Sequence, residues 1–176
     1  IGAGLCGSLL ALRLGQRGYN VRVMERRSDL RKEDISAGRS INLALSNRGI
    51  KALKMVGLEN KVKSLCIPMH GRMLHDKSGN TKLSKYSGRD GEYINSISRE
   101  LLTALLIDEA EALENVSFEF HQKCDAVDFE NNIARFTHGK NRTTLDCEAN
   151  RIFGTDGAGS IPVSYTHLRA HETRIH

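Results

Sequence analysis

Three glycines within the first seven residues leave this chain little freedom in how it begins. Ile1-Gly2-Ala3-Gly4-Leu5-Cys6-Gly7 has the spacing G-x-G-x-x-G. That spacing suits a strand that turns tightly into a helix. Gly2 makes the turn, Gly4 lets a ligand approach the backbone, and Gly7 lets the helix lie close to the sheet. The helix start offers free N–H groups and a positive dipole end, which fit the pyrophosphate of a dinucleotide. Ser8 to Arg17 reads as that helix, with Leu9, Leu10, Leu12 and Leu14 on its apolar side and Gly18 as its stop. Val21-Arg22-Val23-Met24 alternates as a strand and ends at Glu25. This acid lies 21 positions after Gly4, near the roughly 20 expected of one that bonds a ribose hydroxyl.

A chain of 176 residues is long enough for one domain core. It has no initiator Met and opens at the end of a strand, so it is expected to be a fragment lacking most of the first strand. No stretch reads as a membrane span or a signal peptide. Cys6, Cys66, Cys124 and Cys147 are far apart and form no C-x-x-C pair. A reduced, intracellular chain without a metal site is the simpler expectation. The formal net charge is +5, but the basic residues are scattered and no aromatic-interleaved patch argues for nucleic acid. A mildly basic surface suits an anionic cofactor and a carboxylate substrate.

The last stretch, Pro162 to His176, breaks from the preceding pattern and carries three of the seven histidines. Val163 to Thr173 looks like a translated adapter from transposase-based sequencing libraries. Residues 162–176 are therefore expected to be a non-native tail without packed structure.

Between these ends the chain alternates strands and helices. Arg26 to Ala37 is polar and suits a loop running over the nucleotide, with Arg26 and Arg27 toward the adenosine. Ile41, Leu43 and Leu45 alternate as a half-buried strand. Ser46 is placed to cap a helix whose buried side is Ile50, Leu53 and Val56 and whose end is Gly57. A second amphipathic piece, about Leu58 to Leu65, is broken at Ile67-Pro68-Met69. Gly71 to His75 and Lys82 to Tyr86 read as strands around a turn at Lys77 to Asn80. Tyr93 to Ser98 alternates again. Ser98 caps a helix from Arg99 to Leu113 with Leu101, Leu102, Leu105 and Leu106 on its apolar side. Val116 to His121 is a strand, and Ala126–Phe129, Ile133–Thr137 and Thr143–Cys147 a small antiparallel meander. Arg151 to Phe153 returns as a strand and ends in Gly154-Thr155-Asp156-Gly157-Ala158. A carboxylate in a glycine-rich turn at a strand's C-terminal end is where open α/β sheets bind ligands.

Gly2 to Gly7 with Glu25, the helix opening Ser98-Arg99-Glu100, and Thr155-Asp156-Gly157-Ala158 together resemble the class A flavoprotein monooxygenases, the FAD-dependent aromatic hydroxylases. The run Gly38 to Ser46 with Arg48-Gly49, followed by Ile67-Pro68-Met69 and Arg72-Met73, is similar to the kynurenine-hydroxylating branch of that family. The resemblance covers residues 1–161. It implies an α/β fold, the FAD-binding Rossmann-like domain with inserted substrate-side strands, truncated at both ends. It implies FAD contacts at Gly2, Gly4, Gly7, Glu25, Arg27, Ala44, Arg99 and Asp156, and contacts to L-kynurenine at Arg72 and Tyr86. An arginine pairs bidentately with an amino acid's carboxylate better than a lysine does.

The implied reaction is 3-hydroxylation of L-kynurenine with NADPH and O₂, in the cytoplasm of a bacterium or at the mitochondrial outer membrane of a eukaryote. The flavin carries such chemistry, and no nucleophile–base constellation is found in the chain; no catalytic acid or base is assigned. Two other readings stay open on the residues alone: an NAD(P)-dependent dehydrogenase, which leaves Asp156-Gly157 unexplained, and a non-catalytic nucleotide-binding module. The aliphatic position filled by Cys6 is expected to hold a small buried thiol.

Overall fold

The computed structural model describes residues 1–32, 41–89 and 91–162. Gly38, Arg39 and Ser40 of the Gly38–Gly49 run, and the expected tail beyond Pro162, lie outside the described residues. Pro162 itself, the first residue of that expected tail, is buried. The chain divides into two compact units, Ile1–Ala37 with Thr103–His176, and Gly38–Leu102.

The first unit begins with α1 (Leu5–Gly15) and β1 (Val21–Met24). A 3-10 turn, Leu30–Lys32, follows. Most of one long helix, β7 (Val116–Glu119), β8 (Gln122–Asp128), β9 (Ile133–His138) and β10 (Thr144–Glu148) complete it. β1 and β7 are parallel, from Val21 opposite Val116 to Met24 opposite Glu119. On the other side of β1 the chain start is hydrogen-bonded in: the Gly2 N–H donates to the Met24 carbonyl at 2.8 Å. The start is bonded in turn to the late segment, with Ile1 N to Phe153 O at 2.7 Å and Thr155 N to Ile1 O at 2.8 Å. The backbone order is thus 153–155, 1–2, β1, β7. Phe153 was expected in a strand; only this strand-like pairing to the single residue Ile1 is made, so no regular ladder forms.

α1 lies on this sheet by its small residues. Gly7, Ala11 and Gly15 are buried at four-residue intervals, one helical face. A Cβ on Gly15 would sit 2.4 Å from Val116 Cγ2 and 2.8 Å from Leu113 Cδ1. The leucine side expected for α1 is therefore only partly right: Leu12 is buried, while Leu9, Leu10 and Leu14 are half-exposed. The helix also starts and ends earlier than expected. Its C-terminal turn is held by Asn115, whose Nδ2 donates to Gly15 O at 2.9 Å and Tyr19 O at 2.8 Å. β8, β9 and β10 form an antiparallel sheet in the order β10-β9-β8. Met24, Cys124, Val127, Ala134 and Phe136 form a core against this meander, with Ile1, Cys147, Ile152 and Ile161 packed on it.

The second unit holds β2 (Asn42–Leu45), α2 (Asn47–Met55), α3 (Glu59–Leu65), β3 (Ile67–Met69), β4 (Gly71–His75), β5 (Thr81–Lys85) and β6 (Ile94–Ser98). It also holds the first turn of α4 (Arg99–Glu111), which continues into the first unit. β2 and β3 flank β6, both antiparallel to it. Ile67-Pro68-Met69, expected only as a helix breaker, is thus a strand. Its proline is tolerated because β3 is an edge strand. Ile50, Leu53 and Val56 are buried as the periodicity predicts, and Val62 and Ile97 are buried with them, but Ile41 and Leu101 are exposed. Ser46 takes the extended N-cap conformation without making a side-chain cap. Ser98 does cap α4, its Oγ accepting the Leu101 N–H at 3.2 Å.

Candidate functional site

The predicted nucleotide residues of the first unit converge where the chain start, β1 and the late Asp156 turn meet. Gly2 has φ +97°, and a Cβ there would lie 2.8 Å from Asp156 Cα and 2.9 Å from its backbone nitrogen. Glycine is required twice, by conformation and by the closeness of Asp156. A Cβ on Gly7 would lie 1.9 Å from the Gly2 carbonyl oxygen and 2.5 Å from Thr155 Oγ1. The Thr155 hydroxyl lies 2.9 Å from Ile1 O and 3.0 Å from Gly2 O, as their donor. The glycine turn and the Thr155-Asp156 turn, more than 150 residues apart in sequence, are thus one construction.

Gly4 differs from its two neighbours. It has ordinary extended backbone at the N-cap of α1, and nothing lies within 4 Å of where its Cβ would be. No side chain caps the helix, and its first turn carries no acid. The early N–H groups of an α-helix lack intrahelical acceptors, so this uncapped start keeps its donors and its positive dipole end for an anion. Glu25 ends β1 beside it. Its Oε2 accepts the Ala3 N–H at 2.7 Å and its Oε1 the Arg27 N–H at 2.8 Å. The carboxylate is locked in orientation, and each oxygen retains a lone pair for a hydroxyl donor. Asp156 Oδ1 is buried and has no hydrogen-bond partner among the described residues. A buried carboxylate oxygen without a donor is costly; the hydroxyls of a bound ligand would satisfy it.

These features fit FAD: pyrophosphate at the open Gly4 end of α1, ribose hydroxyls at Glu25, and a hydroxyl donor at Asp156. Arg27 enters through its backbone, giving its N–H to Glu25 and accepting the His121 N–H at 3.0 Å; its side chain is exposed. Cys6, expected as a buried thiol, is exposed in the first turn of α1. Cys124 is the buried cysteine: burial, and next the negative charge of Asp156, push its thiol pKa up to about 11.

The remaining predicted residues belong to the second unit. Ala44 sits on β2 opposite Ser96, exposed. Arg99 opens α4, its N–H bonded to Ile41 O at 3.0 Å. Arg72 lies on β4 opposite Ser84, and the Tyr86 N–H continues the ladder to His70 O at 3.1 Å. Tyr86 is therefore two residues beyond the partner of Arg72. Period-two alternation puts both on one face of the hairpin as diagonal neighbours, about 7–8 Å apart. Both are exposed.

Three contributors escaped the sequence reading. Thr155 had a visible signal, its place before Asp156-Gly157. Gly15 had one too, the four-residue spacing from Gly7 and Ala11. The third, Arg31, had none. Its Nε and Nη2 bond both oxygens of buried Asp29, each at 2.8 Å. Its Nη1 reaches Asp108 at 2.8 Å and Glu111 at 2.6 Å. These bonds raise the guanidinium pKa and hold the Asp29 carboxyl below the ordinary carboxylate range.

The family model described as FAD binding domain matches residues 1–174. The chain belongs to the FAD-binding domain family. The α/β fold expected from the resemblance is the one found. Among sequence relatives, this FAD-binding domain is 44% identical over 161 residues to the kynurenine 3-monooxygenase of Myxococcus xanthus, covering 91% of this chain and 34% of the relative. It is 41% identical over 160 residues to that of Legionella pneumophila, covering 91% of this chain and 35% of the relative. The chain thus spans about a third of the length of these relatives. Among solved structures, it superposes with a TM-score of 0.75 on the flavin-dependent monooxygenase PieE, solved with FAD and substrate. That match covers 94% of this chain and 31% of the other at 16% identity, a likeness of fold. Among the described residues no helix is long and apolar enough to cross a membrane, and no cluster of His, Cys, Asp and Glu is arranged to hold a metal ion.

Proposed function

We propose that this chain forms the nucleotide-binding start of a flavoprotein that hydroxylates L-kynurenine at ring position 3, consuming NADPH and O₂. One observation carries the flavin part: the glycine turn and the Asp156 turn are built against each other, with Gly4 open and Asp156 Oδ1 unpartnered. An ordinary nicotinamide dehydrogenase explains the first turn and leaves the second without a purpose. The similarity to kynurenine 3-monooxygenases supports the substrate.

In this reading Gly2, Gly4 and Gly7 seat the pyrophosphate, Glu25 accepts from the ribose, and Arg27 fixes Glu25 through its N–H. Asp156 accepts from a ligand hydroxyl; Ala44 and Arg99 are further cofactor residues by resemblance. Arg72 pairs with the α-carboxylate of kynurenine, and Tyr86, on the same hairpin face, offers ring area and a hydrogen bond. Bound FAD, reduced by NADPH and reoxidised by O₂, would supply the oxygen transfer; the chain's residues supply binding and orientation.

The test is purification of the complete protein. A flavin absorbance spectrum, together with NADPH oxidation that L-kynurenine stimulates and that yields 3-hydroxykynurenine, is the expected result. A protein without flavin, or oxidation indifferent to kynurenine, would overturn the reading.

A further inference from the structure

Of the loop after Glu25 that was expected to run over the nucleotide, residues 26–32 are described, and they are tied down at two places. At its start, Glu25 N–H donates to Glu119 O and Gln122 N–H to Glu25 O, both at 2.8 Å, and His121 N–H to Arg27 O at 3.0 Å. Farther along the described part stands Arg31. Its guanidinium makes four side-chain hydrogen bonds, two to Asp29 in its own loop and one each to Asp108 and Glu111 on α4. Its carbon lies 5.9 Å from the centroid of the Phe120 ring, within cation–π range. Phe120 precedes His121, the residue that holds the Arg27 carbonyl.

Four of the five N–H donors of the guanidinium are used; they join the loop to α4, while the guanidinium carbon also lies within cation–π range of Phe120. A clamp of this kind leaves the Arg27 N–H one position relative to Glu25 Oε1. The carboxylate that would receive the ribose is oriented by that N–H and by the Ala3 N–H.

We infer that Arg31 is a positioning residue for the cofactor. By joining Asp29, Asp108, Glu111 and Phe120, it fixes the loop whose Arg27 N–H aims Glu25 at the ribose. The inference rests on the reading of the glycine turn as a nucleotide site. Arg31 touches no part of the ligand in this account; it acts through Glu25.

A double-mutant cycle on the complete protein, stripped of FAD, tests it. FAD and ADP are titrated against wild type, Arg31→Met, Glu25→Ala and the double variant, with FMN as a ligand that lacks the adenosine. Arg31→Met should raise the Kd of FAD and of ADP about tenfold, the scale of one charge-assisted hydrogen bond, and leave FMN unchanged. On the Glu25→Ala background the same substitution should change the FAD Kd by less than about twofold, because residues acting as one unit are not additive. Equal effects on both backgrounds would show that Arg31 serves stability alone and would overturn the inference.

Arg31→Met leaves Asp29 buried and unpaired and so endangers the fold. Glu111→Gln removes one arm only. It should raise the FAD Kd about twofold to threefold, part of the value of one hydrogen bond, with an unchanged melting temperature. An unaltered Kd in Glu111→Gln with folding intact would equally refute the role. If wild type binds neither FAD nor ADP, the nucleotide reading fails first, and the inference falls with it.

Discussion

Alanine at Gly4 and at Gly7 should produce opposite failures, although three positions separate them. At Gly7 the added methyl meets the Gly2 carbonyl oxygen at 1.9 Å and Thr155 Oγ1 at 2.5 Å. Carbon–oxygen contacts normally lie near 3.3 Å or beyond, so the oxygen must retreat by about 1.4 Å. It cannot do so cheaply, because the neighbouring Gly2 N–H is bonded to Met24 and Thr155 donates to the same carbonyl. Overpacking costs up to about 3 kcal/mol, and the better helix propensity of alanine returns at most about 1 kcal/mol. A net loss of about 2 kcal/mol is expected for Gly7→Ala.

At Gly4 the methyl meets nothing, and the backbone, at φ −74°, accepts any residue. Only the N-cap preference is lost, about 1 kcal/mol or less. The methyl would instead fill the space left for the pyrophosphate, so the FAD Kd should rise about tenfold to a hundredfold, the affinity equivalent of a similar steric cost. Urea denaturation of the FAD-free protein and quenching of flavin fluorescence measure the two effects separately. Normal FAD binding by Gly4→Ala, or unchanged stability of Gly7→Ala, would refute the division of labour between these glycines.

Three further outcomes are expected. Glu25→Ala should weaken FAD binding by about tenfold or more, since a hydrogen bond to a charged acceptor is worth roughly 1.5–3 kcal/mol; an unchanged titration would remove Glu25 from the site. Arg72→Met should raise the KM for L-kynurenine at least about tenfold while flavin content stays normal; loss of flavin with kynurenine affinity intact would reverse the roles given to Arg72 and Arg99. The Asp29 carboxyl, held below its usual range chiefly by the hydrogen bonds from Arg31, stabilises the fold above its unfolded pKa near 4 and loses that contribution as pH falls through the lower folded value. Acid unfolding of Asp29→Asn should therefore be less steep over that window than in wild type, and identical slopes would count against the pairing.

What the sequence disclosed was local. The turn at Gly2, Gly4 and Gly7 and the end of β1 at Glu25 were legible because a short run of residues carries the whole geometry. Alternation located the hairpin that puts Arg72 and Tyr86 on one face. What it concealed depends on partners distant in the chain. Leu9, Leu10 and Leu14 look like the buried side of α1 until the sheet beneath Gly7, Ala11 and Gly15 is known, because close approach favours small side chains over large ones. Ile67-Pro68-Met69 looks like an interruption until β6 supplies its partner. Arg31 looks like one more charge in a polar loop, since nothing near it announces that Asp108 and Glu111 will come within bonding distance.

The hydrogen bond from Ile1 to Phe153 spans 152 residues and has a consequence for how the protein is made. Loop closure over such a distance is slow to be rewarded, and contacts of this kind delay folding. At 5–20 residues per second, roughly 8–30 s of synthesis separate the first glycine from the threonine that steadies it. Until that threonine leaves the ribosome, the Gly2 carbonyl lacks this donor and Gly7 lacks its contact with Thr155 Oγ1. A nascent chain shorter than this lacks the Thr155 contacts that join the two turns.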